Sequence, residues 1–208
     1  MKTRLIAVHG FTQNGAQLRA HLAPLMAELD PVVELACPDG PQPCSEESVE
    51  RMHRMWGLER RPPPYLSWWN ATDDGREYRG WDESRRLLAA LASDGPYGLL
   101  GFSQGSMVVT ALAGLAEHGE LPAPRFAILI AGRAPRADAL RAVLDRPLRV
   151  PSLHIWGERD KLVHEVAAQL VEHFDPDQRQ VEIWPGPHAI PTRGPAADAI
   201  VGWVKRHA

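Results

Sequence analysis

Residues 96–114 read PYGLLGFSQGSMVVTALAG, and the fold turns on how this stretch is read. Residues 97–100 are a short apolar run after a turn, the pattern of a buried strand. From Gln104 the chain reads as a helix toward Glu117, ended by Gly119. Ser103 therefore stands at the apex of a tight strand-to-helix turn, where the backbone is strained. Gly101 and Gly105 lie two positions to either side, where a side chain would collide with the neighbouring strand or helix.

Outward from this turn the same alternation repeats. Residues 5–8, 32–36, 126–130, 152–156 and 181–184 are further strand candidates. Between them, Leu18, Leu22, Leu25, Met26 and Leu29 recur at helical spacing, with Asn14 as N-cap and Pro24 predicting a kink or a break. Residues 82–92, with Leu87, Leu88 and Leu91 on one face, 137–144, 163–174 and 196–205 complete the helices. Strands separated by helices pair in parallel, because parallel neighbours need a crossover, and right-handed crossovers put helices on both faces. The expectation is one doubly wound α/β domain over residues 1–208 with a six-stranded, mainly parallel sheet.

Residues 38–80 break the rhythm. RRPPPYLSWWNATDDGREYRG shows no clear period but carries adjacent tryptophans, so it reads as an ordered insertion covering part of a site.

Composition narrows the function. With 44% hydrophobic and 24% charged residues in 208, the chain is an ordinary globular one. A formal charge of -3, with arginines interleaved with acids, predicts no nucleic-acid partner. No apolar run approaches the roughly 20 residues of a membrane span, and the N-terminus lacks the pattern of a signal peptide, so a cytoplasmic location is expected. Cys37 and Cys44 match neither a redox nor a zinc spacing and read as free thiols. The histidines form no ligand spacing with Asp or Glu, so no metal is expected.

In an open parallel sheet, ligands bind beyond the carboxyl ends of the strands. The segments there are HGFTQ, GFSQG, AGRAP, GERDKLV and PGPHAIP. They place Ser103, Asp160 and His188 after three different strands, in the chain order of an α/β-hydrolase nucleophile, acid and base. Glu158, Asp138 and Asp145 compete with Asp160 for the acid, and Asp160 is preferred. The backbone N–H groups of Gln104 and Phe11 are the expected oxyanion donors, with His9 ordering the Phe11 loop at the edge of the substrate site. Tyr65, Trp68 and Trp69 form either an apolar wall for substrate or a minor core under the insertion. Arg133 is a candidate partner for a carboxylate or phosphate on an acidic acyl group or carrier.

The chain resembles the FSH-type serine hydrolases, the group of ovarian-cancer-associated-protein-2-like esterases. The resemblance rests on LIAVHGFTQNG, WW followed by YRGWDESRRLL, GPYGLLGFSQGSMV, FAILIAG, PSLHIWGERDKLV and PHAIP. It implies a small α/β-hydrolase fold, with Ser103 as nucleophile, Asp160 as acid and His188 as base. It also implies hydrolysis of small-molecule carboxylic esters or thioesters without a cofactor, an acyl-carrier or coenzyme A thioester being a compatible donor. Pro187, Arg133 and His164 depart from the family pattern without removing a catalytic group. Two alternatives stand beside this reading: an acyl-protein thioesterase or lysophospholipase, and a non-catalytic binding protein on a hydrolase fold.

Overall fold

The computed structural model describes residues 2–56 and 62–208. Six strands form its main sheet: β1 (Thr3–Val8), β2 (Val33–Ala36), β3 (Tyr97–Phe102), β4 (Ala127–Ile130), β5 (Ser152–Gly157) and β6 (Arg179–Trp184). Their spatial order is β6-β5-β4-β3-β1-β2, and every pairing is parallel. The order reverses between β1 and β3, where Val8 sits beside Gly101 and the two strand ends open a crevice.

The inner strands read as continuous apolar runs because both faces are covered. Side chains alternate between the faces: Leu5 and Ala7 pack into one core, and Ile6 and Val8 into the other. Helices α1 (Gly15–Leu29) and α7 (Pro195–His207) cover the first face, while α3 (Trp81–Ala92) and α4 (Gln104–Glu117) cover the second. The doubly wound α/β architecture expected from the sequence is therefore the observed one.

Asn14 caps α1, its Oδ1 accepting the N–H of Gln17 at 2.9 Å. The helix runs through Pro24 without the expected break. Leu22, Leu25, Met26 and Leu29 on either side of the proline are all buried, and that packing outweighs the lost backbone bond.

The segment between β2 and α3 holds more regular structure than its lack of period suggests. Gln42–Pro43 pairs antiparallel with Leu66–Ser67, and Asn70–Ala71 with Tyr78–Arg79. Between the first two strands lies α2 (Glu46–Trp56), a helix absent from the sequence reading. Of the expected insertion, residues 57–61 fall outside the described residues. After β4 come α5 (Asp138–Arg141) and a short 3-10 turn, and after β5 comes α6 (His164–Val171).

Candidate active site

Ser103 lies between the end of β3 and the first residue of α4, with φ 54° and ψ -114°. A non-glycine residue with positive φ is uncommon, and here the crowding around the turn imposes it. A Cβ at Gly105 would lie 2.0 Å from the Val8 carbonyl oxygen, and one at Gly101 would lie 2.4 Å from the Gly105 oxygen. The helix can approach the sheet this closely only without side chains at those positions. The Ser103 N–H donates to Ile130 O at 2.9 Å, tying the turn to β4.

His188, in the loop after β6, places Nε2 3.0 Å from Ser103 Oγ. Its Nδ1 is 2.8 Å from Asp160 Oδ2, in the loop after β5. The other carboxylate oxygen of Asp160 accepts the N–H groups of Leu162 at 2.9 Å and Val163 at 3.2 Å. Asp160 is buried to 1% exposure, so backbone donors and an imidazole take the place of its hydration shell. With Asp160 as the acceptor, Nδ1 carries the histidine proton and Nε2 is left to accept from the serine hydroxyl. The competing acids are elsewhere: Glu158 and Asp138 are exposed, and Asp145 pairs with His118 and Arg146.

The loops carrying Asp160 and His188 are braced against each other. Arg159 donates its N–H to Gly186 O at 3.0 Å and its guanidinium to Pro185 O at 2.7 Å. A Cβ at Gly157 would lie 2.0 Å from Gly186 O and 2.8 Å from Pro187 O. The end of β5 is thus a glycine because the histidine loop crosses directly over it. Nothing in the sequence marks this contact.

A cleft of about 690 Å³ opens at Ser103, lined also by Phe11, Gln104, Met107, Trp69 and Arg133. Phe11 and Gln104 approach Ser103 from the ends of β1 and β3. Gln104 is the first residue of α4, so its N–H has no partner within the helix. The half-buried cysteines are poor rivals as nucleophiles. Burial pushes the Cys37 thiol up to about 11 and raises Cys44 as well, keeping both protonated at neutral pH.

His9 is fully buried and does not line the cleft. Its Nε2 accepts the Gly40 N–H at 2.9 Å, so Nδ1 carries the proton and donates to Gly10 O at 2.8 Å. Burial holds its pKa below the ordinary value, with the bond to Gly10 and the charge of Asp39 opposing. The side chain therefore shapes the loop before Phe11 and does not meet substrate, which corrects its expected place at the substrate site.

The aromatic cluster also divides differently from expectation. Trp68 is wholly buried, donating its indole N–H to His9 O at 2.9 Å, and neither it nor Tyr65 lines the cleft. A satisfied indole N–H and full burial make Trp68 part of the core beneath the insertion. Trp69 lines the cleft while stacking on Tyr78, with centroids 4.3 Å apart, and meeting Trp81 edge-on. The Gln104 side chain, whose role the sequence did not suggest, clamps this pair. Its Oε1 accepts Trp68 N–H at 3.0 Å, and its Nε2 donates to Trp69 O at 3.1 Å.

Arg133 lines the cleft, half-buried, with its pKa lowered first by burial and then by the neighbouring charge of Arg136. Among the described residues, no group of three or more His, Cys, Asp or Glu side chains is placed to hold a metal ion. Nor is any helix among them long and apolar enough to cross a membrane.

Residues 1–200 match the family described as serine hydrolase (FSH1). The chain belongs to the FSH1 serine hydrolase family. Esterase OVCA2 of Homo sapiens is 30% identical over 224 residues, which cover 99% of this chain and 96% of that protein. Esterase OVCA2 of Danio rerio is 30% identical over 98% of this chain and 96% of its own length. Among solved structures, Arabidopsis thaliana SOBER1 superposes with a TM-score of 0.70 at 14% identity, covering 100% of this chain and 99% of that one. Zea mays acyl-protein thioesterase 2 gives 0.69 at 20% identity, covering 99% and 94%. At such identities these likenesses establish the fold that this FSH1-family chain shares with them.

Proposed function

We propose that the protein is a serine esterase that hydrolyses carboxylic esters and thioesters through an acyl-enzyme on Ser103. The observation that carries this reading is the unbroken hydrogen-bond chain from Ser103 Oγ to His188 to Asp160, with the serine held at φ 54° at the mouth of a cleft.

In the first step Ser103 Oγ attacks the substrate carbonyl carbon and its proton passes to His188 Nε2. Asp160 holds the resulting imidazolium in place through Nδ1–H. The new oxyanion accepts the N–H groups of Phe11 and Gln104, where the positive end of α4 favours negative charge. On collapse the bond to the leaving oxygen or sulfur breaks, and the leaving group takes the proton from Nε2. Water then attacks the acyl-enzyme, giving a proton to His188. That proton returns to Ser103 Oγ as the carboxylic acid departs.

The reading agrees with the FSH1 family and with the esterase names of the full-length relatives. It needs no cofactor, and coenzyme A or carrier-bound thioesters fit the same chemistry. The test is steady-state kinetics on p-nitrophenyl esters and acyl thioesters of graded chain length. Ser103→Ala is expected to lower kcat/KM by roughly three to six orders of magnitude while leaving the fold intact. Near wild-type turnover in that variant would remove the proposal.

A further inference from the structure

One wall of the Ser103 cleft carries two arginines that form no ion pair among the described residues. Arg133 and Arg136 both line it, and Asp73 is the one carboxylate among its described lining residues. Arg133 is half-buried, and its electrostatic neighbours are Arg136 and the Tyr78 phenol. No carboxylate pairs with it among the described residues. Asp74, in the adjoining groove, is engaged instead by Thr72 Oγ1 at 2.6 Å and by the Arg76 N–H at 3.0 Å.

The wall is also built rather than loose. Arg136 donates its backbone N–H to Tyr78 Oη at 2.8 Å, and Asp138 N–H donates to Arg76 O at 3.3 Å. Tyr78 is itself stacked on Trp69, so the segment bearing both arginines is tied to the aromatic floor of the cleft. The Arg136 guanidinium lies over Gly75, at the rim. A half-buried guanidinium beside a like charge, with no carboxylate paired to it among the described residues, is the arrangement that a ligand anion relieves.

We infer that the substrate of this site carries an anionic group, a carboxylate or phosphate, that Arg133 binds with Arg136 at its flank while Ser103 meets the ester carbonyl. The inference rests on the reading of Ser103 as the acyl acceptor and adds the class of ester it takes. The anion has two sources, the far end of the acyl chain or the leaving group, and paired substrates separate them. For the acyl end, the mono-p-nitrophenyl esters of adipic and suberic acid are compared with p-nitrophenyl hexanoate and octanoate. For the leaving group, 3-acyloxy-4-nitrobenzoates are compared with the o-nitrophenyl esters of the same acids.

The quantity read is the ratio of kcat/KM for the anionic ester to that for its neutral counterpart, which an overall loss of folded enzyme leaves unchanged. The wild-type ratio is expected to exceed about 10 in one of the two series, and Arg133→Met to bring it down about 10- to 100-fold, with Arg133→Lys in between. A wild-type ratio at or below unity in both series, or a preference that survives in Arg133→Met, would overturn the inference. Calorimetric titration of Ser103→Ala with suberate and with 3-hydroxy-4-nitrobenzoate reads the anion site without turnover. Weaker binding of either on adding Arg133→Met supports the site even if Ser103 proves not to be the nucleophile, and unchanged or undetectable binding of both counts against it.

Discussion

Ser103 is held in its strained conformation by its surroundings and not by its own preference. The Val8 carbonyl below Gly105 and the Ile130 carbonyl on the Ser103 N–H leave the turn one geometry. The Asp160 carboxylate is fixed as firmly, since its three acceptor contacts come from Leu162, Val163 and His188. Asp160→Asn keeps the shape but presents an amide that can donate to Nδ1, favouring the tautomer that cannot take the serine proton. Its kcat on a p-nitrophenyl ester is expected to fall about 10⁴-fold with little change in melting temperature. A drop under tenfold would mean that the carboxylate does not set the tautomer. These residues were legible in the sequence because each follows a strand, where the topology gathers side chains. Trp68 was less so: a tryptophan beside a cleft-lining tryptophan looks alike whether it faces substrate or core. Only its indole bond to His9 O decides the matter.

At the scale of elements, the site depends on how closely loops cross strand ends. Gly157→Ala would drive a methyl group into Gly186 O and displace the loop that carries His188. A fall in kcat of about 100-fold is expected, because a shift of 1 Å in a catalytic group has that order of effect. Unchanged kcat would show that the histidine loop adapts freely. The Gln104 clamp joins α4 to the insertion, and Gln104→Met leaves Trp68 N–H and Trp69 O without their partner. A loss of about 1–3 kcal/mol in urea unfolding is expected, together with a raised KM as the Trp69 wall loosens. Helix α2 escaped the sequence reading because Val49 is the one residue among its described side chains that is fully buried, so no apolar period marks it. Its signals were electrostatic: Ser45 Oγ accepts the Ser48 N–H at 3.1 Å, Glu46 and Glu47 open the first turn, and Arg54 stands in the last. Pro24 argues locally for a kink or a break, and the buried face of α1 keeps the helix continuous through it.

Across the whole molecule, the sheet brings distant parts of the chain to one edge and tolerates buried polar groups to do so. His154 in β5 is 1% exposed, with Nε2 3.0 Å from Ser152 Oγ and Nδ1 without a partner among the described residues, so it is less satisfied than a core histidine usually is. Burial, with Arg179 nearby, pushes its pKa down to about 3. The unfolded chain takes up a proton at His154 below about pH 6.5, whereas the folded one refuses it until about pH 3. Stability is therefore complete above that window and falls as pH drops through it, by on the order of 1 kcal/mol per pH unit. The buried His9 contributes in the same direction. Urea midpoints at pH 7 and pH 5 are expected to differ less in His154→Leu than in the wild type. An equal difference would locate the acid sensitivity elsewhere. The alternation of strands and helices made this architecture legible, whereas the crossing loops and the cation-bearing wall arise from contacts between segments far apart in sequence. The claim on which the rest depends is that Ser103 is an activated nucleophile. Treatment with a fluorophosphonate, followed by intact-mass and peptide mapping, tests it most directly. A single adduct per chain is expected, on Ser103, lost in Ser103→Ala and strongly slowed in His188→Ala. An unlabelled Ser103, or an adduct on another residue, would contradict it.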